Sequence, residues 1–360
     1  MKKVRFGVIG IGNMGTSHSE KLDHGTVPEI ELTAVCDLKE DRCQWAREHL
    51  SSSVQVYQDP EEMMTKAPLD AVIVATPHYD HPRLVMDAFR HGLHAITEKP
   101  AGVYTAAVRE MNEAAKKSGK LFGIMYNQRT NPVYAKVKEL LASGEMGEIK
   151  RVVWLITNWY RSQSYYNSGG WRATWEGEGG GVLLNQCPHN LDLLQWIAGM
   201  PCGVRAFMKY GCHRDITFLK GASGLFVTST HETPGTNRLE ISGDRGKIVV
   251  ENNKITFFRT RIGEMEFNQT WTGGFGSPEY WQIPIEPAKT PALTEHMPGE
   301  EGILGLSISN AMHLSDWTDQ MVDPMHLDEA LFKQLLDERI AASTMHKEDV
   351  NVTLDVTGTH

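Results

Sequence analysis

A short apolar stretch, Val4-Arg5-Phe6-Gly7-Val8-Ile9, runs straight into Gly10-Ile11-Gly12-Asn13-Met14-Gly15, and no other feature constrains the fold as much. A strand that meets three glycines at this spacing and continues as a helix needs a turn free of side chains. Gly10 permits the tight turn, Gly12 lets a pyrophosphate approach the backbone, and Gly15 lets the helix pack closely on the strand. The helix start supplies free amides and the positive end of its dipole. The same glycine pattern also occurs as a plain turn in other α/β proteins, so its context has to decide. The next strand, Glu31 to Asp37, ends in an acid where a carboxylate would bond ribose hydroxyls and repel a 2′-phosphate. Gly10, Gly12, Asn13 and Met14 are therefore expected to cradle a dinucleotide, with Asp37 selecting NAD over NADP. Lys39 and Arg42 lie close enough in sequence to soften that selection.

The pattern continues as alternating strands and helices. Ala71 to Ala75 is wholly apolar, as a parallel strand covered on both faces should be. A helix from Pro82 to His91, a strand His94 to Thr97, a helix Ala106 to Ser118 ending at Gly119, and a strand Leu121 to Met125 follow. Right-handed crossovers between such units give a doubly wound parallel sheet. Beyond residue 125 the strands become longer, more aromatic and closely spaced: Lys150 to Trp159, Gly224 to Thr230, Arg238 to Ser242, Lys247 to Glu251 and Lys254 to Thr260. That texture predicts an antiparallel sheet, with helices over Pro132 to Ser143, Gly181 to Ala198, Gly302 to Trp317 and Asp328 to Ser343. The expected class is α/β, with a Rossmann domain over 1–124. An α+β domain with a large open, mostly antiparallel sheet follows over 125–360, its last helix free to pack back on the first domain.

A chain of 360 residues exceeds one ordinary core, which supports the division in two. The net charge of −9 argues against nucleic-acid or anionic-membrane partners. No apolar run is long enough to span a bilayer, and no apolar leader stretch precedes the first strand. The five cysteines are odd in number and no pair has zinc-site spacing, so no metal is expected and a reducing cytoplasm fits best.

Three further stretches carry chemistry. Thr76-Pro77-His78-Tyr79-Asp80-His81 follows the third apolar strand, on the carboxyl edge where such sheets bind ligands. In isolation His78 reads as a solvated loop histidine and His81 as a helix start; on that edge one of them is expected at the cofactor, together with Thr76 and Pro77. Gly179-Gly180-Gly181 opens a helical stretch in which Asn185, His189 and Asp192 share one face. Pro188 is expected to kink or restart that helix. From spacing alone a core helix with one satisfied histidine is the better reading. Finally, Trp154 to Trp175 gathers Trp159, Tyr160, Tyr165, Tyr166 and Trp171 with Arg161 and Arg172. Trp154 suits a buried strand. The remainder, crowded with Ser, Asn and Gly, resembles a sugar-binding wall of aromatic faces and hydrogen-bonding groups.

Gly10 to Gly15 with His18, the Ala-Thr-Pro segment ending in His81, Glu98-Lys99-Pro100, Asn127-Gln128-Arg129, Gly144 to Ile149 and the triple-glycine helix with His189 occur in this order. The set resembles the family of glucose–fructose oxidoreductase and inositol dehydrogenase (Gfo/Idh/MocA) over essentially the whole chain. The resemblance implies an NAD-dependent oxidoreductase acting on a secondary ring hydroxyl of a carbohydrate or cyclitol, working as a homo-oligomer, dimer or tetramer, through the C-terminal sheet. It gives Lys99 and His189 the catalytic roles. It adds Glu98, Lys99, Gln128, Trp171 and Arg172 to the cofactor contacts. Lys99, Asn127, Arg129, Tyr160, Tyr166, Trp171, Arg172, Asn185 and His189 are its substrate contacts. His189 would accept the hydroxyl proton and Lys99 would stabilise the developing alkoxide.

Two departures stand out. Many members have an aspartate where this chain has Asn185, so His189 must be oriented by Asn185, Asp192 or the substrate. The segments near 211–224 and 284–299 look short, with a strand and a helix before Met297 reduced or missing. Two other functions fit the same fold: a glycosidase that oxidises and re-reduces its sugar on retained NAD, and a non-catalytic nucleotide-binding regulator. Intact Lys99 and His189 argue against the second.

Overall fold

The computed structural model describes residues 2–209, 211–218, 221–287 and 297–343. The first half runs β1 (Val4–Ile9), α1 (Asn13–Asp23), β2 (Ile30–Cys36), α2 (Glu40–His49), β3 (Gln55–Tyr57), α3 (Pro60–Lys66) and β4 (Ala71–Val74). It continues with α4 (His81–Arg90), β5 (His94–Thr97), α5 (Thr105–Ser118) and β6 (Phe122–Ile124). The six strands pair in the order β3-β2-β1-β4-β5-β6, every pair parallel. Strand order therefore reverses between β1 and β4, which opens a crevice at their carboxyl ends. All four residues of β4 are buried, as its unbroken apolar run requires. Val108, Met111 and Ala115 seat α5 at helical spacing, and Gly119, at φ 65°, ends it.

The second half runs α6 (Pro132–Ala142), β7 (Ile149–Ile156), α7 (Gln163–Asn167), α8 (Val182–Asn185), α9 (Pro188–Ala198), β8 (Pro201–Lys209), β9 (Gly211–Phe218) and β10 (Ser223–Thr228). Then come β11 (Asn237–Gly243), β12 (Gly246–Glu251), β13 (Lys254–Thr260), α10 (Glu264–Thr270), β14 (Tyr280–Ile285), α11 (Gly302–Thr318) and α12 (Glu329–Ala342). Its eight strands pair as β14-β13-β12-β11-β7-β10-β9-β8, antiparallel except for β7 with β10. Alternation puts Val152, Trp154 and Ile156 of β7, with Phe226, Ile241, Ile248 and Phe257, on one face under α6, α9 and α11. The other face carries a charged ladder of Arg151, Arg238, Glu240, Lys247 and Glu251. Among the described residues no helix is long and apolar enough to cross a membrane.

The two halves are tied by α11. Asn310, fully buried on it, accepts from the Thr105 amide at 3.1 Å and donates to the Val103 carbonyl at 3.0 Å. Phe332 and Leu336 of α12 join the core of the first half, and Phe332 stacks on Trp317 at 5.2 Å.

The restart expected at Pro188 is present: the helical stretch over 181–198 breaks at Gln186 and Cys187, and Pro188 becomes the first residue of α9, where its missing amide proton costs nothing. Two other expectations need correction or placement. The strand expected to be reduced near 211–224 is present: β9 is eight residues long and pairs with both β8 and β10. The helix expected to be reduced before Met297 falls largely on 288–296, outside the described residues. The sequence signal was also silent on β8, because Pro201 and a register shift before Gly203 interrupt its alternation.

Candidate active site

The crevice at the strand switch holds a cavity of about 630 Å³, within the range of small-molecule sites. Its floor is the turn from Gly10 to Met14. At Gly10 (φ 92°) a Cβ would lie 2.7 Å from the Ala75 carbonyl oxygen, so only glycine fits. At Gly12 a Cβ would meet nothing within 4 Å, because that side faces the open cavity beside the first amides of α1. This cradle fits a pyrophosphate.

Asp37 closes one end. Its carboxylate accepts from the Ile11 amide at 2.7 Å and the Lys39 amide at 2.9 Å, which fixes its direction on the cavity wall. Lys39, Arg42 and Arg83 line the same end. Thr76, Pro77 and His78 form the wall beyond β4.

The far end is denser in charge. Glu98 and Lys99 follow β5, Trp171 and Arg172 come from the loop after α7, and Asn185 ends α8; all five line the cavity. Lys99 Nζ donates to the Asn185 carbonyl at 2.9 Å. Burial pushes the Lys99 ammonium below the usual lysine value, partly offset by Glu98. Burial works against the Glu98 carboxylate too, but His18 Nε2 at 2.7 Å and Lys99 outweigh it and hold Glu98 below its usual value. Arg172 lies over both the Trp171 and Tyr165 rings, 4.5 and 4.6 Å from their centroids, and donates to Tyr165 Oη at 2.9 Å. The buried His78 donates from Nδ1 to the Glu178 carbonyl at 2.9 Å and meets Trp171 edge-on at 5.1 Å. Burial holds its imidazole well below the usual value, so it is neutral.

Two family models match the chain. The NAD-binding Rossmann fold of the Gfo/Idh/MocA oxidoreductases matches residues 4–126, and the family's C-terminal domain matches 134–249. The chain belongs to the Gfo/Idh/MocA family. A myo-inositol 2-dehydrogenase of Thermotoga maritima is 28% identical over 70% of this chain and 77% of its own length. A D-glucoside 3-dehydrogenase of Escherichia coli is 27% identical over 59% of this chain and 60% of its own length, so that match spans less than two thirds of the relative. The crystal structure of the WlbA dehydrogenase of Chromobacterium violaceum with NADH and UDP-GlcNAcA superposes with a TM-score of 0.75, at 25% identity over 90% of this chain and 96% of that one. The cofactor of this Gfo/Idh/MocA chain is accordingly NAD.

The other residues nominated from sequence lie around the cavity rather than on its wall. His189 is the second residue of α9, half-buried and edge-on to Tyr126 with centroids 6.1 Å apart. When protonated it is close enough to favour the Glu98 carboxylate. His81 is buried, with Nδ1 and Nε2 each 2.7 Å from a backbone carbonyl, of Pro100 and Thr76. It braces the two loops that carry Thr76 and Lys99. Gln128 accepts from Asn131 at 3.2 Å, and the exposed Asn127 accepts from Thr130 through its carbonyl. Arg129, expected at the substrate, is instead buried in a bidentate pair with Asp192, at 2.8 and 2.6 Å, and also bonds Glu301 at 2.5 Å. Asp192 is thereby engaged away from His189. Tyr160 is 52% exposed. Tyr166 hydrogen-bonds Thr230 at 2.7 Å and stacks with His231. Sequence reasoning passed over Glu178, although the Glu176-Gly177-Glu178-Gly179 run sets an acid against the triple glycine. Among the described residues no group of three or more His, Cys, Asp or Glu side chains could hold a metal ion.

Proposed function

We propose that the chain transfers a hydride between NAD and a secondary ring carbinol of a sugar, glycoside or cyclitol, with Lys99 and His189 handling the hydroxyl proton. The observation that supports this best is Lys99 Nζ, held on the cavity wall by the Asn185 carbonyl at the end remote from Asp37. The bound cofactor supplies the hydride acceptor. A ring hydroxyl beside Lys99 receives a hydrogen bond from the ammonium that strengthens as the oxygen gains negative charge. His189, approaching from α9, takes the hydroxyl proton; an imidazole is suited to this near neutral pH. Trp171 and the Arg172 plate stacked on it cover the reacting end and limit water. Asp37 favours NAD over NADP, because a 2′-phosphate would meet its carboxylate.

The names of the relatives, an inositol and a glucoside dehydrogenase, point to the same substrate class. The open face of the eight-stranded sheet is the surface for a homo-oligomer. A panel of inositols, glycosides and free sugars incubated with NAD tests the proposal through the absorbance of reduced nicotinamide. Turnover confined to ring alcohols is expected; no reduction with any of them would overturn it.

A further inference from the structure

Glu178 is 1% exposed, yet it joins three separate parts of the cavity wall. Its carboxylate accepts from Asn185 Nδ2 through Oε1 and from the Ala173 amide, at 3.1 Å, through Oε2. Its carbonyl accepts from His78 at 2.9 Å. Ala173 adopts φ 54°, a left-handed conformation costly for a residue with a Cβ, immediately after Trp171 and Arg172. One carboxylate thus holds the strained end of the aromatic loop and the side chain of the residue whose carbonyl binds Lys99.

A buried carboxylate is retained only where charge and hydrogen bonds compensate its desolvation. The titratable and charged groups around Lys99 are Glu98 with its partner His18, His78, Arg161, Arg172, Glu178 and, beyond Asn185, His189. Arg161 and Arg172 disfavour the ammonium, and Glu98 is shared with His18. Glu178 acts in the opposite sense to the two arginines.

We propose that Glu178 is a positioning residue for Lys99: through Asn185 it fixes the carbonyl that aims the ammonium, and its charge offsets Arg161 and Arg172. The carboxylate that Asn185 lacks is in this way supplied from one residue further out. The idea rests on the proposed role of Lys99, so its test reads Lys99 itself as well as turnover.

Glu178→Gln removes the charge and sets an amide donor against one of the two donors it now accepts. Combining it with Asn185→Asp restores complementary partners, since the glutamine amide can donate to the new carboxylate, and returns the charge to the site. Competitive labelling of the apo protein with trace acetic anhydride across the alkaline range, read lysine by lysine by mass spectrometry, gives the pH at which Lys99 loses its proton. Glu178→Gln should lower that midpoint by about one unit and lower kcat about tenfold or more, with NADH affinity changed less than about threefold. The double variant should bring midpoint and kcat back toward wild type. An unchanged Lys99 midpoint in Glu178→Gln overturns the proposal whether or not a substrate is known. If Glu178→Gln does not fold, the double variant decides: a folded protein with a wild-type midpoint supports the proposal and a lowered midpoint defeats it. Failure to find any sugar turnover with a shifted midpoint would instead count against the proposed reaction.

Discussion

Arg129→Ala should unfold the protein more easily, and the size of the effect should depend on pH. The guanidinium makes three hydrogen bonds, two to the 1%-exposed Asp192 and one to Glu301. Burial works against its charge, but these acids outweigh burial and hold the guanidinium above even the usual arginine value. Removing it leaves Asp192 with the amide of Gln195 at 3.1 Å. Burial already pushes the Asp192 carboxyl up with the arginine in place, and without it the group will take a proton in the native state. Protonating a carboxyl of ordinary pKa near 3.9 at pH 7 costs about 4 kcal/mol, at 1.36 kcal/mol per unit, and this caps the charge penalty. The native variant then binds a proton that the unfolded chain does not, so its deficit grows with rising pH. Urea unfolding followed by tryptophan fluorescence should show a loss of about 4 kcal/mol at pH 7, shrinking by about 1.4 kcal/mol for each unit of acidification towards pH 5. Adding Asp192→Asn should recover a large part of it. A stability change below about 1 kcal/mol together with a large rise in substrate KM would refute this reasoning and return Arg129 to the substrate.

Asp37→Ser should lower kcat/KM with NAD roughly tenfold and narrow the preference over NADP, helped by Lys39, Arg42 and Arg83 at that end of the cavity; a wild-type preference for NADP would contradict the role given to Asp37. Because burial lowers the Lys99 value, the ammonium needed to stabilise an alkoxide is lost as pH rises through that lowered value. The pH profile of kcat should therefore fall on its alkaline side below the range of an exposed lysine, and Lys99→Met should abolish that limb. Phe332→Ala should cost about 3–5 kcal/mol, since the ring is buried in the first core at 1% exposure against Trp317; a loss below about 1 kcal/mol would mean α12 is not docked as described.

The doubly wound sheet was legible because its signals are local. The glycine turn, the acid ending β2 and the apolar run of β4 each state their environment within a few residues. The antiparallel strands β11 and β13 alternate, and β12 between them is a short apolar run bounded by turn residues, so all three were equally readable. β8 and β14 were not, because proline, glycine and exposed aromatic residues blur the period at the two edges of the sheet. Resemblance marked Lys99, and the structure puts it on the cavity wall. It could not tell that Arg129 would find Asp192, a partner 63 residues away, or that Glu178 would fold back on Asn185. Contacts of that kind depend on how α9 and the aromatic loop are set against the first half. No spacing rule encodes them.

The central claim is that the reacting carbon gives its hydrogen to NAD as a hydride beside Lys99. It is tested most directly with a ring alcohol that turns over, deuterated at the carbon that bears the oxidised hydroxyl. Mass spectrometry of the reduced cofactor should find one deuterium per turnover with the wild type, and Lys99→Met and His189→Ala should slow its appearance by roughly two powers of ten while still binding NADH. Deuterium released to water instead of retained in the cofactor, or transferred at the wild-type rate by both variants, would contradict the account.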